Sequence, residues 1–167
     1  MPTRPRNACG ATNMLYETLE EYKAILPIDG RLLGLDVGET TIGLALTDAR
    51  RGIASSLHTI ERKKFAYDVS ELKNFIAKHH IKGLVIGNPI NMDGSQGPRT
   101  QSTRTFISNI AKHIELPMLL WDERMSSMAV ERMMIEADMT RQRRAKLIDK
   151  LAASYILQGA IDRMNAL

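Results

Sequence analysis

The segment LLGLDVGETTIGLALT (residues 32–47) carries the clearest signal of fold class in this chain. Two short apolar runs, residues 32–37 and 42–47, are separated by the turn-forming residues 38–41. Apolar runs of this length joined by a short connection that contains glycine are typical of a β-hairpin. The pattern predicts two neighbouring strands, and a third strand is predicted over residues 53–60.

Helices and strands alternate after this three-stranded start. Apolar residues at helical or continuous spacing predict the remaining elements. They are a helix at 65–80, a strand at 81–86, a helix ending near 114, a strand at 118–121, and helices at about 127–136 and 144–164. Strands first and then alternating helix and strand indicate an α/β fold, with a mixed five-stranded sheet flanked by helices.

Length and composition are those of one ordinary globular domain. The chain has 167 residues, of which 44% are hydrophobic and 25% charged. Residues 1–30 are predicted to be an N-terminal extension with one amphipathic helix, and residues 31–167 to form the domain. No apolar run approaches the roughly 20 residues that span a membrane, and no secretory signal is visible, so a cytoplasmic location is expected. The net charge of +4 is compatible with a phosphate-rich partner.

Asp36 is a carboxylate inside an otherwise apolar strand. An unpaired buried charge costs several kcal/mol, so such a residue usually has a metal ion, a cation or hydrogen-bond donors beside it. A turn cap next to Gly38 is the competing interpretation. Asp48, at the end of the next strand, is interpreted only as a turn residue.

Two further carboxylates stand out. Glu123 follows a strand directly, within Asp122-Glu123-Arg124, although a structural ion pair with Arg124 or a helix N-cap by Asp122 explains it equally well. Asp149 shares a small, apolar helix face with alanines further along the chain, and its alternative is a salt bridge to a neighbouring lysine. Three carboxylates from separate segments suit Mg²⁺ or Mn²⁺, which prefer oxygen ligands and support phosphodiester hydrolysis.

Two segments are candidates for substrate binding. One is the polar loop over residues 87–95, where Asn91, Asp93 and Ser95 precede a helix whose amino end could bind a phosphate, although Asp93 could equally belong to a simple turn. The other is the basic cluster that precedes Asp149, and its alternative is a solvated helix start. The cluster contains Arg141, Arg143, Arg144 and Lys146.

Four motifs in order resemble the YqgF/RuvX family: LGLDVGETTIGLALTD, GNPINMDGSQGP, LPMLLWDERMSS and IDKLAASYILQGAID. The resemblance spans about residues 31–163. It implies an RNase H-like fold related to Holliday junction resolvases, and a nuclease that matures the 5′ end of pre-16S ribosomal RNA. The family's acidic metal-binding positions fall on Asp36, Glu123 and Asp149, and Arg124 completes its DER motif.

The chain departs from the family pattern after Gly38. Members often carry Lys or Arg there, as in GTKRIG, whereas this chain has Glu39-Thr40-Thr41. A basic phosphate contact is therefore missing at this turn, and Glu39 adds a negative charge.

Several alternatives remain open from the sequence. The segment DVGETT also resembles the first phosphate loop of the sugar kinase and actin superfamily, but no second copy of that loop is present. Within the nuclease interpretation, four-way DNA is the second substrate, which a symmetric homodimer would cut. A third hypothesis is that the chain binds nucleic acid as a ribosome-assembly factor and has no catalytic activity. RNA and DNA substrates are not distinguished by any residue in the sequence.

Overall fold

The computed structural model describes residues 14–88, 97–122 and 140–167, with only the helical backbone for 98–100, 141 and 144–150. The strands are β1 Leu15–Tyr16, β2 Leu32–Val37, β3 Thr41–Thr47, β4 Ala54–Glu61, β5 Gly83–Asn88 and β6 Met118–Asp122. The helices are α1 Leu19–Ile25, α2 Phe65–His79, α3 Pro98–Ala111 and, renumbered here, α4 Arg141–Asn165. The helix predicted at 127–136 and Cys9 lie outside the described residues.

The six strands form one mixed sheet in the order β1-β6-β5-β2-β3-β4. Strand β2 is antiparallel to β3 and parallel to β5, and β5 is parallel to β6. The predicted mixed α/β sheet is confirmed, with one strand more than the five expected. That sixth strand, β1, has two residues and pairs with Met118 and Leu119. It is too short to show an alternating pattern, and it lies within residues 1–30, for which only an amphipathic helix was predicted.

Two boundaries differ from the prediction for local reasons. Helix α2 ends at His79, because its C-cap His80 has a left-handed φ of 54°, and the His80 N–H donates a hydrogen bond to the carbonyl of Ile76. The N–H of Ile81 bonds the same carbonyl, so β5 begins only at Gly83. Helix α4 begins at Arg141 rather than residue 144, because the Thr140 side chain caps it by accepting a hydrogen bond from the Arg143 N–H.

The sheet is covered on both faces. Leu33, Leu35 and Val37 of β2 belong to a core cluster with α2 and α3. Leu32, the first residue of the strand, points to the other face and belongs to a cluster with α4 and α1. Ala153, Ile156 and Ala160 of α4 are buried in that second cluster, as their shared small face predicts. Tyr22 of α1 is fully buried there as well. The described part of the predicted extension therefore packs on the sheet, and a domain boundary at residue 30 stays a prediction.

Helix α4 approaches β2 closely because Gly34 has no side chain. A Cβ atom at Gly34 would lie 2.8 Å from the Leu157 Cβ and 3.0 Å from the Ala153 carbonyl oxygen. Contacts that short require the helix or the strand to move. Gly34 thus fixes how near the helix lies to the centre of the sheet. Across the described ranges, none of the helices combines the length and apolar character needed to span a membrane.

Candidate active site

The parallel strands β2, β5 and β6 end side by side, at the carboxyl edge of the sheet. Asp36 is the penultimate residue of β2, and Asn88 and Asp122 are the last residues of β5 and β6. Asn88 and Asp122 are also direct partners in the strand register. Carboxyl ends of strands in α/β proteins are where binding and catalytic residues tend to lie. The candidate site is therefore the carboxyl edge formed by β2, β5 and β6.

The side chain of Asp36 lies on the face of the sheet that α4 covers. Asp36 pairs with Gly43 of β3. A Cβ atom placed on Gly43 would lie 3.7 Å from the Asp36 Cβ and 3.7 Å from the Ala153 Cβ of α4. Asp36 is only partly buried and takes part in an interaction within the protein. The carboxylate thus lies between sheet and helix without being sealed from solvent.

Helix α4 runs antiparallel to β2, which determines where Asp149 lies. Gly34, near the middle of β2, contacts both Leu157 and Ala153 of α4. Gly43, which lies beside Asp36 near the end of β2, contacts Ala153 but not Leu157. Advancing along β2 towards its carboxyl end therefore means going back along α4 towards its amino end. Asp149 is four residues, about one helical turn, before Ala153. The structure therefore places Asp36 and the helical turn of Asp149 at the same end and on the same face of the sheet.

The third predicted carboxylate, Glu123, lies outside the described residues, directly after β6. Its neighbour Asp122 is described. Leu120 belongs to the cluster on the α2 and α3 side and Trp121 to the cluster on the α4 side. Because successive strand residues point to opposite faces, Asp122 lies on the α2 and α3 face, away from Asp36. Asp122 is therefore not a partner of Asp36 across the sheet.

The predicted substrate-binding residues are only partly described. Asn91, Asp93, Ser95 and Arg124 lie outside the described residues. Arg143 is exposed in the first turn of α4. Arg144 and Lys146 lie in the next helical residues of α4, ahead of Asp149. The basic positions and the candidate metal ligand therefore share the amino-terminal part of one helix.

Arg62 holds the turn that follows Asp36. This contact was not predicted from the sequence. The Nη1 of Arg62 donates a 2.7 Å hydrogen bond to the carbonyl of Gly38, and its backbone N–H donates to the Thr40 carbonyl at 2.9 Å. The guanidinium lies 4.8 Å from the centre of the Phe106 ring, and its Nε is 3.7 Å from Oδ2 of Asp68. The basic residues 62–64, directly after β4, were the available signal for such a contact. Only the pairing of β3 with β4 brings Arg62 next to the turn after Asp36.

Asp48 lies at the opposite edge of the sheet. Its Oδ1 accepts hydrogen bonds from the backbone N–H groups of Gly52 and Ile53, at 2.8 and 3.0 Å. These bonds, that from Ile53 first, lower the pKa of the Asp48 carboxyl below its ordinary value. Its interpretation as a turn residue is confirmed. Within the described part of the chain, three or more His, Cys, Asp or Glu side chains do not gather into a metal-binding group.

Comparison with solved structures defines the class of fold first. The chain resembles "T. thermophilus RuvC in complex with Holliday junction substrate", with a TM-score of 0.51 and 12% identity, covering 81% of this chain and 96% of that one. At this low identity the likeness shows the fold alone, which is the RNase H-like fold of the RuvC resolvases.

Sequence comparison then gives the family. The family model described as "RuvX: Holliday junction resolvase" matches residues 30–163. A relative from Rhodobacter capsulatus with the printed name "Putative pre-16S rRNA nuclease" is 51% identical, over 90% of this chain and 95% of its own length. A relative of the same name from Zymomonas mobilis is 56% identical, over 87% of this chain and 89% of its own length. The chain belongs to the RuvX family.

Proposed function

We propose that this chain is a divalent-metal-dependent nuclease that hydrolyses phosphodiester bonds in pre-16S ribosomal RNA, in the maturation of its 5′ end. The observation that carries the proposal is the position of Asp36 opposite α4, at the carboxyl edge of the sheet, on the same face as the helical turn of Asp149. Membership of the RuvX family and relatives at about half identity with a nuclease name support it. A bacterial ribosomal RNA substrate implies a cytoplasmic location.

The residues present fit Mg²⁺ or Mn²⁺. Both ions prefer hard oxygen ligands, and the candidate set of Asp36, Glu123 and Asp149 consists of carboxylates alone. Asp36 is only partly buried, so its carboxylate can share an ion with water. Gly43 has no side chain to fill the space beside it, between the sheet and Ala153. Glu123 is favoured over Asp122 because Asp122 lies on the other face.

Ions held by these carboxylates would supply an activated water and neutralise charge on the phosphate during in-line displacement. The chain's own residues orient the reactants. The backbone of β2, paired on both sides, holds Asp36 in place. Arg62 fixes the turn after it by bonding the Gly38 carbonyl. Arg143, Arg144 and Lys146 are proposed to hold the phosphates on either side of the cleaved bond, near the amino end of α4. Asn91, Asp93, Ser95 and Arg124 are proposed to complete substrate binding.

Resolution of four-way DNA is the second candidate, and it rests on the family description and on the RuvC fold. A resolvase needs two sites related by symmetry, so this function requires a homodimer. Sedimentation of the protein alone and with a four-way junction tests that requirement. A strict monomer in both samples would exclude symmetric resolution and leave the RNA function in place.

The test of the proposed chemistry compares metal binding with cleavage. Thermal unfolding of wild type, Asp36→Asn, Glu123→Gln and Asp149→Asn is followed during titration with Mn²⁺, and each protein is assayed on a labelled pre-16S leader RNA. We expect Mn²⁺ to raise the melting temperature of wild type and of the control Glu115→Gln, an exposed carboxylate at the other edge of the sheet. The three site variants should show a smaller shift and no cleavage. Equal shifts in all proteins, with cleavage retained in the site variants, would refute the assignment and favour a binding factor without catalysis.

A further inference from the structure

A cleft of about 340 Å³ lies beside β6, next to the candidate active site. The short β1 pairs with Met118 and Leu119 only, so the wall of the cleft includes the following part of β6. Leu19 and Trp121 supply part of its apolar surface. Ligand-binding clefts begin at about this size, roughly 300 Å³, and combine an apolar wall with a few polar groups.

Two residues that line this cleft each have a buried side-chain atom without a hydrogen-bond partner among the described residues. One is the side-chain oxygen Oδ1 of Asn88, a residue with only 7% of its surface exposed, and the other is Nε of Arg104 on α3. A buried polar atom without a partner costs about 1–3 kcal/mol, so it calls for a partner such as water, an ion or a ligand. An occupant that donates to the Asn88 oxygen and accepts from the Arg104 nitrogen would satisfy both atoms.

The charges that line the cleft are balanced. Arg104 and Arg163 contribute two positive charges, and Glu17 and Asp122 contribute two negative charges. The Nη2 of Arg104 is already 3.6 Å from an oxygen of Glu17. A phosphate group would gain little from such a lining. A neutral polar group that is both donor and acceptor fits better, and a hydroxyl combines both capacities in one oxygen atom.

We propose that this cleft binds a nucleoside of an RNA strand, whose ribose 2′-hydroxyl donates to Asn88 Oδ1 and accepts from Arg104 Nε. The proposal rests on the nuclease function above and names the class of its substrate, because the 2′-hydroxyl is the group by which proteins distinguish RNA from DNA. Asn88 ends β5 beside the end of β6, at the same carboxyl edge of the sheet as Asp36 but on the face that α2 and α3 cover, so the cleft would hold a nucleoside beside the site and not at the cleaved bond itself.

The test measures binding in EDTA, where metal-dependent cleavage is absent. Fluorescence anisotropy gives the Kd of the full chain for a labelled single-stranded RNA, the same sequence as DNA, and its 2′-O-methyl form. Wild type should bind RNA about tenfold more tightly than the other two, the effect of one hydrogen bond to a charged or buried group. Asn88→Ala and Arg104→Lys should bind RNA as weakly as DNA, with unchanged DNA affinity. Arg104→Lys keeps the charge and removes Nε.

Matched controls separate this effect from folding. Asn74→Ala on α2 and Arg31→Lys before β2 make the same chemical changes at exposed positions outside the cleft, and should keep the preference for RNA. If Asn88→Ala fails to fold, the affinities of Arg104→Lys for RNA and DNA test the proposal alone. The proposal is overturned if wild type binds RNA and DNA with equal affinity. It is also overturned if Asn88→Ala and Arg104→Lys lose as much affinity for DNA as for RNA. Because binding is measured without metal, failure of the nuclease assay and failure of this contact are separate results.

Discussion

The Cβ of Asp36 lies 3.7 Å from the point that a Cβ on Gly43 would occupy, and the Cβ of Ala153 lies at the same distance from that point. Strand β2, strand β3 and helix α4 therefore meet beside the candidate carboxylate with no side chain between them. The missing Cβ at Gly43 leaves the space beside the Asp36 side chain unfilled.

Gly34 and Gly43 should respond differently to alanine. At Gly43 the added Cβ meets its neighbours at 3.7 Å, an ordinary contact distance, so the free energy of unfolding should change by less than about 1 kcal/mol. At Gly34 the contacts of 2.8 and 3.0 Å force α4 away from the sheet, and a loss of roughly 1–3 kcal/mol is expected. Urea unfolding measures both. Equal losses would show that α4 does not rest on Gly34 as described.

Much of this arrangement could be predicted from the sequence, for identifiable reasons. The hairpin at residues 32–47 was expected from two apolar runs around a turn, and helix α2 from helical spacing, and the structure has both close to the predicted positions. Asp36 stood out because a charge interrupts an apolar strand. The role of Arg62 could not be predicted, since it depends on the pairing of β3 with β4. Asn88 and Arg104 likewise meet in one cleft only through the fold. The roles of Asp36, Glu123 and Asp149 stay predictions.

Asp68 should be important for stability. It is almost fully buried, its Oδ1 accepts a 3.0 Å hydrogen bond from the Lys63 N–H, and its Oδ2 faces Arg62. Asp68→Ala leaves both donors without this acceptor, so the free energy of unfolding should fall by about 2–4 kcal/mol. Glu115→Ala removes an exposed carboxylate and should change it by less than about 0.5 kcal/mol. Urea unfolding of both variants is the measurement, and equal effects would contradict the role of Asp68.

Tyr22 should make stability depend on pH in alkaline solution. Burial raises the pKa of its hydroxyl well above the ordinary value, and the positive charge of Arg51 offsets this only in part. Above about pH 10 the unfolded chain loses this proton while the folded chain keeps it, so stability falls by up to about 1.4 kcal/mol per pH unit. Tyr22→Phe should unfold with a shallower dependence between pH 9 and 11.

The matched control for Tyr22 is Tyr67→Phe, which alters a tyrosine that is 39% exposed. Its stability should follow the same pH dependence as wild type. At pH 7, Tyr22→Phe should lie within about 1 kcal/mol of wild type, because the hydroxyl has no hydrogen-bond partner among the described residues. A steep alkaline loss that persists in Tyr22→Phe would assign the effect to another group.

Glu39 should weaken substrate binding. It is exposed in the turn after β2, where members of the YqgF/RuvX family often have a basic residue. Glu39→Lys replaces repulsion of a phosphate by attraction, so the KM for a leader RNA should fall several-fold, and the gain should shrink as salt is raised. Glu115→Lys makes the same charge change at the other edge of the sheet and should lower KM much less. Equal effects would indicate that only net charge matters.

Cleavage of a pre-16S leader RNA and of a four-way DNA junction by wild type and Asp36→Asn, with Mg²⁺ or Mn²⁺, decides whether Asp36 is needed for catalysis. The amide removes the charge that binds the ion and changes the side-chain volume little. We predict that wild type cuts the RNA and that folded Asp36→Asn does not cut either substrate. Cleavage by folded Asp36→Asn at the wild-type rate would contradict the account.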